Sequence, residues 1–143
     1  MLKIASDKSK FTGIWTSIHI IAFHSKSKED QSIFCKVIRI ICSDLPCLTC
    51  RDHSIKYIKD NMPENFIDEN NEKAMFKWSC EFHNHVNRSK TPPSPVLNWE
   101  IIYKDYENNA SKDNNESMNT QMTTKTSPQR FNEDIYKKLN AKK

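Results

Sequence analysis

The chain has 143 residues, a formal net charge of +4, one glycine (Gly13) and five cysteines: Cys35, Cys42, Cys47, Cys50 and Cys80. The length suits a single domain, and one glycine excludes both a Walker loop and a GxGxxG dinucleotide turn, so any bound nucleotide is held by side chains and helix packing. Lysine and arginine are scattered among aspartate and glutamate, which leaves no basic footprint for nucleic acid.

Without glycine or an Asn-Gly dipeptide, tight hairpins lack their usual turns, and a mostly helical backbone is expected. A mean hydropathy of -0.78 is polar for a folded domain, so one part holds the core and another is solvated. The longest apolar run near the N-terminus, Ile20 to Phe23, is far too short for a membrane span. Met1 to Lys10 is polar and lacks a secretory signal, from which a location on the cytosolic side is expected.

In chain order, a first helix is predicted over Thr12 to His24, with Ile14, Ile18, Ile21 and Ala22 at helical spacing and Trp15 and His19 on the adjoining face. Ser27 with Asp30 three residues later has the form of an N-cap opening a second helix that ends near Ser43. Its Ile33, Phe34, Val37, Ile38, Ile40 and Ile41 give a broad apolar face. Leu45-Pro46 stops it, and proline suits the first turn of the next helix, about Cys47 to Lys59, with Leu48, Ile55 and Ile58 directed inward. Asn61 to Asn71 is a polar connection. A fourth helix from about Glu72 to Ser89 places Met75, Trp78, Phe82 and Val86 on one stripe and stops at Pro92, Pro93 and Pro95. Trp99 to Tyr106 forms a short fifth helix. From Glu107 onward Asn, Ser, Thr and Lys dominate, as in a disordered tail; Phe131, Ile135 and Leu139 recur every four residues, which fits either a solvated end or a segment that docks on a partner. The expected fold is therefore all-α: a four-helix bundle plus a short fifth helix over residues 11–106, between an N-terminal segment (1–10) and a polar tail (107–143).

The chemistry centres on Cys47-Leu-Thr-Cys50. Two thiols three residues apart at a helix start close a small disulfide ring, and the unpaired N–H groups of a helix N-terminus stabilise a thiolate. Such a disulfide suits exchange rather than stapling. Alone, the motif is equally half of a zinc site completed by His53 and His83, a thioredoxin-like pair, or a dithiol beside a redox cofactor. Its neighbourhood favours the last: Trp15, His19, His53, Trp78, His83, Asn84 and Asn87 are rings and amides able to clamp a flat heteroaromatic group. Cys35 and Cys42, seven apart on an apolar helix, read as buried small hydrophobes.

Trp15-x-x-x-His19, Cys47-x-x-Cys50-x-x-His53 and Trp78-x-x-x-x-His83-Asn84-x-Val86-Asn87-x-x-Lys90, in this order, resemble the Erv/ALR family of FAD-linked sulfhydryl oxidases over residues 11–106. The compact, Asn/Lys-rich form is most similar to the small versions of large cytoplasmic DNA viruses. The resemblance implies a helical bundle that binds FAD noncovalently and usually forms a homodimer. It implies that Trp15, His19, His53, Trp78, His83, Asn84, Val86, Asn87, Lys90 and Trp99 surround the FAD, with Lys90 near the phosphates. It further implies that a thiol-containing protein or small redox shuttle protein reduces Cys47, that Cys50 faces the flavin, and that dioxygen takes the electrons as hydrogen peroxide. The implied location is the host cytoplasm or virion, with the mitochondrial intermembrane space as the alternative. The family's usual partner for the cysteine at Cys80 is missing between Thr91 and Trp99, so Cys80 is expected unpaired. The rival reading is a zinc-stabilised helical binding module that uses Cys47, Cys50, His53 and His83.

Overall fold

A computed structural model describes residues 8–120, with side chains for 13–112. The described residues are helical throughout and contain no strand: α1 (Lys8–His24), α2 (Lys28–Ser43), α3 (Leu48–Asp60), α4 (Ala74–Arg88) and α5 (Trp99–Thr120), with a 3₁₀ turn at Pro63–Phe66. The chain separates into two units, Met1–Tyr106 and Glu107–Lys143. Within the first, α1 packs against α4 and α2, and α2 against α3.

Local chemistry sets the helix ends. Ser27 caps α2 in a full capping box: its Oγ accepts from Asp30 N, and the Asp30 carboxylate accepts from Ser27 N, which satisfies two otherwise orphaned donors. Cys47 is the N-cap of α3, its Sγ accepting from Cys50 N at 3.2 Å. The redox motif and the helix start are thus the same four residues.

The core forms from Ile18, Ala22 and Phe23 of α1, Phe34, Cys35, Ile38 and Cys42 of α2, Ile58 of α3, Met75, Phe76, Trp78, Cys80 and Phe82 of α4, and Tyr103 of α5. Cys35, Cys42 and Cys80 are buried free thiols, as expected. Burial pushes the first two up to about 11 and Cys80 up to about 12, so none is a thiolate at neutral pH. Gln31, wholly buried, donates to the carbonyls of Lys26, Asp68 and Asn71 and accepts from Asp68 N at 2.8 Å. One α2 side chain thereby fixes the connection ahead of α4.

Four expectations change. Leu48 and Ile55 face outward, 68% and 45% exposed, and only Ile58 of the α3 trio is buried. Leu48 and Ile55 are seven apart and share a face, while Ser54 and Ile58 occupy the inward one. The broad α2 face narrows in the same way, Ile33 and Ile40 lying outside the core. The polar connection after α3 contains the Pro63–Phe66 turn, with Pro63 at its start. Finally, α5 continues to Thr120 rather than ending at Tyr106. Residues 107–120 contain neither glycine nor proline, and a helix ladder tolerates polar side chains as long as no breaker interrupts it. The Phe131, Ile135 and Leu139 pattern lies outside the described residues.

Candidate functional site

The first four helices deliver a few side chains each to one cleft of about 1220 Å³. From α1 come Trp15 and His19, four apart and therefore stacked along one face. From α3 come Cys50, His53 and Tyr57, at the same helical spacing. From α4 come Phe82, His83 and Val86, and beyond it Lys90 and the proline-rich strap of Pro92, Pro93 and Pro95 close one side.

The rings are ordered against each other. The indole of Trp15 lies parallel to the imidazole of His83, centroids 3.9 Å apart and planes 2° apart. Phe82 meets Trp15 edge-on at 5.1 Å, one of the arrangements aromatic quadrupoles favour. Tyr57 stacks on Phe82 at 4.8 Å. His19 and His83 are joined directly, Nε2 to Nδ1 at 3.0 Å, and His19 Nδ1 meets Ser79 Oγ at 3.0 Å.

Cys47 and Cys50 form a disulfide, Cα atoms 5.2 Å apart, within the ordinary range for a bridge. Cys50 belongs to the cleft wall, whereas its half-buried partner Cys47 does not. The two sulfurs of one bond thus have different neighbours: one adjoins the aromatic cleft, and the other takes the N-cap hydrogen bond.

The structure gathers Trp15, His19, Cys50, His53, His83, Val86 and Lys90 around the cleft. Four other predicted residues lie elsewhere. Trp78 is a core residue packed on Phe34, Tyr57 and Phe82, with its Nε1 donating to Asn61 O at 3.0 Å. Asn84 and Asn87 are buried and hold the strap. Asn84 donates to Leu97 O at 3.0 Å and accepts from Leu97 N at 2.7 Å, and Asn87 donates to Pro95 O at 3.3 Å. Asn87 Oδ1 also accepts from Lys90 Nζ at 3.0 Å. Trp99 opens α5 with Lys77 Nζ 5.7 Å above its ring. Tyr57 and Phe82 in the wall, and Ser79 behind it, are not among the site residues expected from the sequence. Tyr57 had a signal, standing four residues after His53. Phe82 read as core, and nothing in the sequence marks Ser79.

Among the described residues, no group of three or more His, Cys, Asp or Glu comes together to hold a metal ion, and Cys47 and Cys50 are bonded to each other. The zinc constellation of Cys47, Cys50, His53 and His83 therefore does not assemble. No helix among them is long and apolar enough to cross a membrane.

Burial pushes His19 down to about 4, and burial together with the neighbouring His19 and Lys90 pushes His83 down to about 4. Both rings are neutral at pH 7. Because an exposed histidine in the unfolded chain titrates near 6.5, the unfolded state binds more protons between about pH 6.5 and 4. Folding stability is then complete above about 6.5 and falls as pH drops through that window. Denaturant unfolding at pH 7 and pH 5 is expected to show a loss of about 2 kcal/mol from His19 alone; equal midpoints would contradict it.

A family model, the Erv1 / Alr family, matches residues 12–107. The Saccharomyces cerevisiae protein named mitochondrial FAD-linked sulfhydryl oxidase ERV1 is 32% identical over 95 residues, covering 64% of this chain and 48% of its own length. Two African swine fever virus proteins named FAD-linked sulfhydryl oxidase are each 28% identical. The one from a Kenyan pig isolate aligns over 102 residues, 68% of this chain and 80% of its own. The one from a Malawian tick isolate aligns over 97 residues, 65% and 76%. The chain thus spans about half of the yeast relative and over three-quarters of each viral one. No solved structure matches the chain significantly.

Proposed function

The chain belongs to the Erv1/Alr family, and on that premise we propose that it is an FAD-dependent sulfhydryl oxidase that makes disulfides in partner proteins. The observation that carries the reading is the placement of Cys50, half of a disulfide, in the wall of an aromatic cleft. The residues present suit FAD. Parallel indole and imidazole planes offer flat surfaces for ring systems, and Lys90, Thr91 and Ser94 would offer polar contacts to a diphosphate. Trp15, His19, His53, His83, Val86 and Lys90 would hold it directly. Trp78, Asn84, Asn87 and Trp99 would act from behind, through the core, the strap and α5.

The chemistry follows from the two sulfurs. A partner thiolate attacks Cys47 Sγ, a mixed disulfide forms, and Cys50 leaves as the thiolate. The partner's second thiol, deprotonated, attacks the partner sulfur, its own disulfide forms, and Cys47 departs as a thiolate. The helix N-terminus favours that departure, since Cys50 N donates to Cys47 Sγ and leaving thiols of low pKa leave faster. Two electrons then reside on the dithiol, with Cys50 beside the cleft. With FAD held by this wall, the cofactor would supply the redox chemistry that carries two electrons to dioxygen and yields hydrogen peroxide. The neutral His19 and His83 add no charge to that wall.

The physiological reductant is a thiol-containing protein or small redox shuttle protein. A homodimer is supported by Ile33 and Ile40, seven apart on α2 and 48% and 63% exposed, a stripe that a second copy would cover. The viral relatives favour the host cytoplasm or virion, and the mitochondrial relative keeps the intermembrane space as the second reading. The purified protein is expected to be yellow, with a flavin spectrum, and to consume dioxygen when given dithiothreitol. A colourless protein with stoichiometric zinc, or one that consumes no dioxygen once loaded with FAD, would overturn the reading.

A further inference from the structure

Ser79 lies on α4, wholly buried, and its Oγ donates to Phe76 O at 2.7 Å. A hydroxyl has one proton. With that proton directed at the carbonyl, Ser79 Oγ meets His19 Nδ1, 3.0 Å away, as an acceptor, so His19 carries its hydrogen on Nδ1. In a neutral imidazole the other nitrogen then holds a lone pair. His19 Nε2 therefore accepts, and the hydrogen in its 3.0 Å bond to His83 Nδ1 belongs to His83. The same rule leaves His83 Nε2 without a proton. The direction of the whole chain, from His83 to His19 to Ser79 to the Phe76 carbonyl, is set at its buried end. Trp15, parallel to the His83 ring at 3.9 Å, fixes the plane in which that last nitrogen lies.

We infer that Ser79 is a positioning residue that sets the tautomers of His19 and His83, so that the cleft offers an acceptor, His83 Nε2, to a hydrogen-bond donor of the bound cofactor. The inference rests on the FAD reading for its ligand, whose donors are the adenine amino group, the flavin imide N–H and the sugar and ribityl hydroxyls. The tautomer chain itself stands on the protein alone. A serine is needed because the group must donate to a carbonyl and accept from an imidazole at once. Alanine does neither, and the Cys80 thiol, 4.0 Å from the same Nδ1, is a weak substitute.

The test is nitrogen-15 NMR of the imidazoles at pH 7, with and without FAD, in the wild type, Ser79→Ala and Ser79→Thr. The wild type is expected to show His19 and His83 both as Nδ1–H tautomers. Ser79→Ala is expected to give mixed tautomers, to weaken FAD binding about tenfold, as the loss of one oriented hydrogen bond would, and to move the flavin absorption band while helix content by circular dichroism stays the same. Ser79→Thr, which keeps the hydroxyl, is expected to restore the tautomers. An Nε2–H signal from either ring in the wild type overturns the inference, as does Ser79→Ala with unchanged tautomers and FAD affinity. Should Ser79→Ala fail to fold, the wild-type spectrum decides. Should the protein bind no FAD, the functional reading fails while that spectrum still decides the chain.

Discussion

Cys50→Ala is expected to reduce dithiothreitol oxidation by on the order of a thousandfold or more while the protein stays yellow. The variant keeps the rings of Trp15, His19 and His83 that line the cleft, so FAD has its surfaces, but the disulfide is gone, and the sulfur that remains in the wall, Cys42, is a buried thiol pushed up to about 11. The two cysteines are expected to fail differently. With Cys50 removed, Cys47 remains half-buried outside the wall and capped by the α3 N-terminus, so with an oxidised partner it is expected to form a stable mixed disulfide. With Cys47 removed, the remaining thiol is the one at the cleft, and trapping is expected to be much weaker. Rates by oxygen electrode, flavin content by absorbance and mixed disulfides by mass spectrometry separate these outcomes. Wild-type oxidation by Cys50→Ala would sink the proposed electron path.

Asn84→Ala is expected to destabilise the fold by about 2–3 kcal/mol, because it breaks two hydrogen bonds and leaves the Leu97 N–H and C=O without partners. The strap that Asn84 anchors carries Pro92, Pro93 and Pro95 of the cleft wall, so FAD affinity is expected to fall with stability although Asn84 does not line the cleft. Asn84→Asp offers a sharper contrast. It keeps the acceptor for Leu97 N but turns the other oxygen toward Leu97 O, an acceptor facing an acceptor, and is expected to be at least as damaging. Urea midpoints and FAD titrations measure both. An Asn84→Ala midpoint shift worth less than about 0.5 kcal/mol would show that the strap holds itself.

Much of the site was legible because its spacings are helical. Trp15 with His19 and Cys50 with His53 lie three or four residues apart, which places each pair on one face whatever the tertiary packing. The Ser27 capping box and the stop at Leu45-Pro46 are local interactions, and α2 begins at Lys28 and ends at Ser43 as they require. The zinc alternative shows where local reading stops. Cys47, Cys50, His53 and His83 are suitable ligands by type, and only the arrangement of α3 against α4 shows that they do not converge. Leu48 and Ile55 went astray for a related reason. Apolar character says that a residue benefits from burial, yet α3 offers its neighbours the face of Ser54 and Ile58, and a helix has only one inward side.

By itself the sequence determined the helical class, the absence of a phosphate loop and the spacing that lets Cys47 and Cys50 close a small disulfide ring. Each follows from residue type and near-neighbour spacing, which act through bonds and turns a few residues long. Only the tertiary structure decided which sulfur adjoins the cleft, that Asn84 and Asn87 hold a strap, and that a buried serine orients two histidines on different helices. Those outcomes depend on contacts between residues as many as 64 positions apart. Which side chains meet at that range is set by how the helices pack, and the hydrophobic drive behind packing rewards buried area without direction. The directional bonds of Ser79, Asn84 and Asn87 then select one arrangement among the packed ones.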